Sequence, residues 1–264
     1  MRTGAHMLDL FGMNDDWLPT GPGVLPPYGC HIHTISDALV LSSAGIIGLR
    51  TGEVIEDTLD HTDPALDGYE RQNGSEEGGV LLRSPTVTLR GRYLSLLLGN
   101  HANHFHWLLM NFARLAILQS VDFERLDGIL VPAGLTPTQE EALHLAGLTQ
   151  HAPLRPVERG ESLQIETLVL PWNVASSYGV NPDAVAYLRS LVPPRPPQKR
   201  PRAKRRIYID RRNAPLRRLF NEEEIIDTLR REGVEPATME GLSLADQARL
   251  LKTPNWSSVR TGLA

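Results

Sequence analysis

The sequence predicts an α/β fold arranged as two consecutive α/β domains. Three observations carry that prediction. Short buried-type runs such as "GILVP" (128–132) and "IETLVLP" (165–171) alternate with stretches of helical length, the pattern of a parallel sheet with helices on its faces. Ahead of them, "DALVLSSAGIIGLRTGEVIED" (37–57) has β-branched runs broken by "SSAG" and "RTGE", which predicts short antiparallel strands joined by turns. Finally, "VPPRPPQKRPRAKRR" (192–206) places five prolines and seven Lys/Arg in fifteen residues, a stiff, solvated linker.

The elements follow in order. Residues 1–35 hold Pro and Gly clusters ("PTGPGVLPPYG") and form an irregular lead-in. The N-terminal α/β domain spans 36–191, with its antiparallel strands first. Residues 58–80 are polar and turn-rich and read as a mobile loop. "GRYLSLLLG" is the next strand, and 103–120 a helix. "TPTQEEALHLAGL" is a helix with Thr136 as N-cap and Pro137 at its first position, and "NPDAVAYLRSL" is another. After the linker, residues 207–264 make a partial C-terminal domain. Its strand is "RIYID", its first helix 221–232 runs from Asn221 as N-cap to Gly233, "GVEPATM" is a strand, and helix 243–252 opens on a Ser243–Asp246 capping box.

Composition narrows the function classes. Hydrophobic content of 41% and charged content of 22% are ordinary for a globular chain. A net charge of −4 gives no overall pull toward nucleic acid or anionic lipid. Cys30 is the only cysteine, so a cysteine-rich metal site and an intrachain disulfide are both excluded. No apolar run approaches the roughly 20 residues that span a bilayer, and the N-terminus has no basic-then-apolar signal. A cytoplasmic protein is expected. There is no Walker loop, no G-x-G-x-x-G and no G-x-S-x-G, so the motifs of ATP hydrolysis, NAD chemistry and α/β-hydrolases are absent.

Two stretches could carry chemistry. In "NHFHWLLMNFARL" (103–115), Phe105, Leu108, Leu109, Phe112 and Leu115 recur at helical spacing, and Asn103 can cap the helix. His104 and His106 then fall in the first turn after a strand end, where open α/β sheets bind ligands. A histidine there can serve as general base on a hydroxyl or bind a phosphate. The plainer reading is a capped core helix with two surface histidines. His101, His104 and His106 do not stack on one helical face, so no metal site is expected.

The second stretch is "RRIYIDRRNAPLRRLFNEEEI" (205–225). Arg211, Arg212, Arg217 and Arg218 offer the two-point geometry that grips a diphosphate, and a carboxylate at a helix start, Glu222 or Glu224, can bind ribose hydroxyls. Against this stands the ordinary role of Glu at a helix N-terminus and of Arg in solvated ion pairs. "QKRPRAKRR" has no interleaved aromatics, so nucleic-acid binding is not expected.

Taken together, the ordered set "NHFHWLLMNFARL", "DGILVP", "LHLAGL", "IYIDRR", "LRRLFNEEEI" and "GVEPATMEGLSLADQARL" resembles glycosyltransferase family 61, whose bacterial members are often labelled capsular polysaccharide biosynthesis proteins. The resemblance runs from about residue 35 to residue 251. It implies a GT-B-like architecture, two Rossmann-type domains facing across a cleft. It implies inverting transfer of a sugar from a nucleotide-sugar, typically a UDP-sugar, to a hydroxyl of a glycan or polysaccharide acceptor. No metal or other cofactor is implied, because Arg and helix N-termini offset the leaving-group charge. His106, with His104 beside it, becomes the candidate base, and Arg211, Arg217, Arg218, Asn221 and Glu222 the donor-binding set. A noncatalytic carbohydrate- or nucleotide-binding protein is the alternative. Three positions depart from the pattern: Met110 for an acidic residue, Ala113 for proline and Asp210 for serine.

The ending departs further. The resemblance implies a buried strand and an "H-G-A-G-L-x-N" loop after Gln247, with the histidine near position 261. The chain reads "LLKTPNWSSVRTGLA", without strand pattern or histidine. Synonymous codons for Leu251–Ala264 exist that, read in an adjacent frame, encode E-D-A-E-L-V-I-G-P-H-G-A-G. The expectation is a frameshift near residue 251. It leaves an incomplete second domain, an exposed sheet edge and little or no transferase activity. Sequencing the DNA across codons 248–264 tests it.

Overall fold

A computed structural model describes residues 7–8, 31–55, 58, 85–99, 101–120, 125–172, 175–176, 179–180, 182–192, 206–214, 218–251 and 259–261. The chain forms two compact units, Met1–Leu191 and Val192–Ala264, of mixed α/β structure. The predicted loop 58–80 (apart from Thr58), nearly all of the linker, and Arg217 lie outside the described residues.

Unit 1 is organised by one mixed sheet. Its strands are β1 (Met7–Leu8), β2 (His31–Leu41), β3 (Ile46–Gly48), β4 (Val54–Ile55), β5 (Val87–Ser95), β6 (Gly128–Pro132), β7 (Leu154–Val157) and β8 (Ser162–Trp172). They lie in the order β1-β4-β3-β2-β8-β5-β6-β7. Neighbours among β8, β5, β6 and β7 are parallel, whereas β2 is antiparallel to both β8 and β3. Two-residue strands β9 (Ala175–Ser176) and β10 (Gly179–Val180) pair separately.

The described helices of unit 1 are α1 (Pro137–Leu145), α2 (Pro182–Ser190), the irregular helical segment 106–120 and a short 3-10 turn, Leu148–Gln150. Thr136 caps α1 in a reciprocal box with Gln139, with Pro137 at the first position, as its sequence predicts. No helix among the described residues is long and apolar enough to cross a membrane.

The core follows from strand alternation. Ala38 and Val40 on β2 and Leu163, Ile165, Leu168 and Leu170 on β8 are fully buried and pack with Ile47, Ile55, Leu97, Leu130 and Val157. Each fully buried Leu or Ile contributes roughly 1.5–3 kcal/mol. β6 is buried along all five residues, as expected for an interior parallel strand. Gly91 sits at φ +98 where β5 shifts register against β8, and a Cβ there would collide with the Asp127 carboxylate. That bulge requires glycine.

Two expectations change, and one strand, β7, was not predicted. β2 begins at His31, inside the stretch read as irregular lead-in, because Ile32, Thr34 and Ile35 are strand formers in register with β8. β5 begins earlier than "GRYLSLLLG" and ends at Ser95, leaving Leu96 and Leu97 buried outside the strand. β7 carries no alternation and contains Pro156, which it tolerates as the last strand of the sheet.

Unit 2 has a three-stranded parallel sheet of β11 (Arg206–Asp210), β12 (Val234–Thr238) and β13 (Val259–Thr261), in the order β12-β11-β13. Helix α3 (Glu222–Arg231) connects β11 to β12, and α4 (Leu244–Leu251) follows. Pro236 is accepted because β12 lies at the sheet edge. Gly233, at φ +71, ends α3, and Ser243 Oγ caps α4 by accepting the Asp246 N–H at 3.0 Å. Asn221 holds the N-cap position of α3, but its side chain makes no capping bond. The strand β13 overturns the reading of the "TPNWSSVRTG" stretch as strandless. Val259–Thr261 pairs with Ile207–Ile209, so that side of β11 is covered.

Candidate active site

In unit 1, Leu96 N–H donates to Leu130 O at 3.0 Å, extending the β5–β6 contact beyond Ser95. The chain then turns at His101–Asn103 into a helix. Asn103 is the cap: its Oδ1 accepts from Phe105 N–H at 2.9 Å and His106 N–H at 3.5 Å, and its carbonyl accepts from Trp107 N–H at 2.9 Å. Gln139 Nε2 donates to His101 O at 2.8 Å, tying this turn to the start of α1. The two histidines are therefore held beside the carboxyl ends of β5 and β6, where α/β sheets bind ligands.

The helix itself differs from expectation. Residues His106–Asn111 wind as a π-helix and Phe112–Ser120 as a 3-10 helix. The Phe112 N–H reaches Trp107 O, the i→i+5 bond of a π turn. Widening the turn changes the buried face. Phe105 is 47% exposed instead of packed, while Trp107, Asn111, Phe112, Arg114 and Leu115 are buried. Trp107 stacks on Phe112 with centroids 6.3 Å apart, and Phe112 meets Tyr187 of α2 at 6.4 Å. Ala113 packs against Ala184 of α2, small residues allowing close approach. Arg114 Nη1 donates to Leu97 O at 3.2 Å, and burial pulls its guanidinium down to about 9, still charged at neutral pH.

His104 has an exposed surface, yet the protein packed around its ring lowers its pKa and favours the neutral imidazole. His106 is half-buried, its ring edge-on to Phe105 at 5.6 Å and its Nδ1 2.9 Å from Met110 Sδ.

In unit 2, the carboxyl end of β11 and the start of α3 bring Tyr208, Asp210, Arg211, Arg212 and Glu222 together. Glu222 is not a free surface carboxylate. It is buried, and its Oε1 accepts from Tyr208 OH at 2.8 Å and from Arg211 N–H at 2.7 Å. Burial first, then the Glu222 hydrogen bond and the charges of Glu222 and Asp210, push the Tyr208 hydroxyl up to about 12. Asp210 is buried, and its Oδ2 accepts from Arg212 Nη2 at 3.0 Å and Thr238 Oγ1 at 2.9 Å. Burial alone would raise its pKa, but the bonds from Arg212 and Thr238 and the Arg212 charge outweigh it and hold the carboxyl low. Arg212 also reaches Glu223 Oε1 at 3.2 Å, and the bonds to Asp210 and then Glu223 hold the guanidinium well above its ordinary value.

Among the predicted donor-side residues, Arg211 and Glu222 meet through the Arg211 N–H, whereas Arg218 and Asn221 are exposed on the approach to α3. Tyr208 and Thr238 were not singled out from sequence, and Arg212 was read only as one arginine of the run, not as the partner of Asp210. The alternation in "RIYID" was the available signal, because residues two apart share a sheet face and Tyr208 and Asp210 therefore point to one layer.

An α/β scaffold with polar side chains gathered at the carboxyl ends of parallel strands has the general form of a ligand-binding α/β protein. The Glycosyltransferase 61 profile matches residues 104–255, more than half of the chain, taking in the first candidate stretch from His104 onward and the whole of the second. The chain belongs to glycosyltransferase family 61. No curated protein matches the sequence.

Proposed function

We propose that this glycosyltransferase moves a sugar from a nucleotide-sugar, a UDP-sugar by preference, to a hydroxyl of a surface polysaccharide or other glycan, with inversion at the anomeric carbon and in the cytoplasm. The plan is GT-B-like, with unit 1 taking the acceptor and unit 2 the donor. One observation carries the reading: the family match begins at the histidine turn that follows β5 and runs through the arginine–carboxylate cluster of unit 2.

Inversion needs one base to take the acceptor proton as the hydroxyl attacks the anomeric carbon and the diphosphate leaves. His106, in the first helical turn with its ring held by Phe105 and Met110, is assigned that role. His104 is its neighbour and second candidate. The departing diphosphate is held by Arg211, Arg217 and Arg218, whose positive charges offset the negative charge that develops on it. Glu222 and Asn221 face the nucleoside. Bound metal has no part in this scheme.

A calorimetric panel of UDP-, GDP-, ADP- and CMP-sugars tests the donor class. It is run on the chain as it stands and on a version whose ending carries the P-H-G-A-G reading. Binding confined to one nucleotide class supports the proposal. If free glycans bind but no nucleotide-sugar does, the noncatalytic carbohydrate-binding reading replaces it.

A further inference from the structure

Two carboxylates at the head of β11 and α3 divide their oxygens in the same way. Asp210 commits Oδ2 to Arg212 and Thr238, and Glu222 commits Oε1 to Tyr208 and the Arg211 N–H. The second oxygen of each, Asp210 Oδ1 and Glu222 Oε2, is buried with no hydrogen-bond partner among the described residues, and so is Nε of Arg212. Buried polar atoms are almost always paired, and an orphaned anionic oxygen is among the costliest exceptions. Three orphans drawn from residues 210, 212 and 222 mark a network that a ligand completes.

The chemistry of the three atoms selects the ligand. Two are acceptors carrying negative charge and one is a guanidinium N–H donor. An anion is repelled by the carboxylates. A cation is disfavoured by the guanidinium, and among the described residues no three His, Cys, Asp or Glu side chains gather as a metal set. A hydroxyl both donates and accepts. Two adjacent hydroxyls give each carboxylate a donor and leave an oxygen to receive the Arg212 N–H.

We propose that Asp210, Arg212 and Glu222 form a hydroxyl-recognition subsite for a vicinal diol of the donor nucleotide-sugar. The inference rests on the donor reading of unit 2 given above. The carboxylate is needed at this position, because Asp210 both holds Arg212 through Oδ2 and presents Oδ1 as a second acceptor. The diol has two possible sources, the ribose and the transferred sugar.

Titration of the full, unmodified chain with ligand analogues separates them. UDP is compared with 2′-deoxy- and 3′-deoxy-UDP for the ribose, and a UDP-hexose with its 2-deoxy and 3-deoxy counterparts for the sugar. Removing a recognised hydroxyl should weaken binding by roughly ten- to a hundredfold, the range for hydrogen bonds to charged groups. Asp210→Asn, which keeps the shape, should largely erase that discrimination. Equal binding of all the deoxy analogues, with UDP itself bound, overturns the subsite while the donor reading stands, and leaves the orphan atoms to ordered water. Failure of UDP and every UDP-sugar to bind overturns both.

Discussion

His106 Nδ1 lies 2.9 Å from the thioether sulfur of Met110, within the same π-helix. A thioether accepts hydrogen bonds weakly and never donates. The contact therefore favours the tautomer with the proton on Nδ1, which leaves Nε2 as the nitrogen able to take a proton from an acceptor hydroxyl. Met110→Leu removes the acceptor. Nitrogen-15 NMR of the His106 ring should show the Nδ1–H tautomer in the parent and a shift toward Nε2–H in Met110→Leu, with Met110→Gln restoring the parent pattern. A parent ring already protonated on Nε2 rules this arrangement out.

The roles of His106 and Arg211 separate kinetically. His106→Ala should lower kcat by about 100-fold or more, in the range for a general base, with little change in donor affinity. Arg211→Ala should weaken donor binding instead. Full activity in His106→Ala would move the base to His104 or elsewhere.

Arg211 and Arg212 are adjacent but differ in structural duty. Arg212 offsets the buried Asp210 charge, so Arg212→Ala leaves that carboxylate without its cation and should lower the melting temperature of unit 2. Replacement of both Asp210 and Arg212 by neutral residues should recover part of the loss. Thermal melts of the two single variants and the double variant decide the point, and equal melting of Arg212→Ala and the parent would contradict it.

The stability of unit 2 should depend on pH at both extremes. The Tyr208 hydroxyl ionises near 12 in the folded chain against an ordinary value of 10.0, so its contribution is complete below about pH 10 and is lost as pH rises through 12. Asp210 has the opposite sign. Its folded value lies below the ordinary 3.8, so its contribution is present above that pH and is lost as pH falls through the lowered value. Difference melts against Tyr208→Phe and Asp210→Asn should isolate the alkaline and acid limbs respectively. Parallel curves for parent and variant at either end would refute the corresponding assignment.

Much of this was readable in the sequence, for reasons that also explain what was not. The cap of α1 was legible because Thr136, Pro137 and Gln139 act within one turn. Asn103 was legible as a cap for the same reason. The buried face of the next turns was not, because the 3.6-residue period assumes an α-helix and the π turn changes the register. Phe105 is therefore half-exposed and Asn111 wholly buried, an assignment no hydrophobic count could make. Glu222 was legible as a helix-start carboxylate, but its burial depends on Tyr208, fourteen residues earlier and across the sheet–helix interface. β13 escaped because "VRT" has no apolar alternation and takes its strand form from pairing with β11.

The reaction proposed for this chain is sugar transfer from an activated nucleotide donor. Its most direct test is incubation of the purified protein, in both versions of its ending, with the UDP-sugar that binds and a panel of glycan acceptors. Proton NMR follows the anomeric signal of the product. Release of UDP by the version carrying the P-H-G-A-G ending should be matched one for one by a new glycosidic linkage of inverted anomeric configuration, and be lost in His106→Ala. A donor that binds tightly yet yields no linkage in either version, or a product of retained configuration, would contradict it.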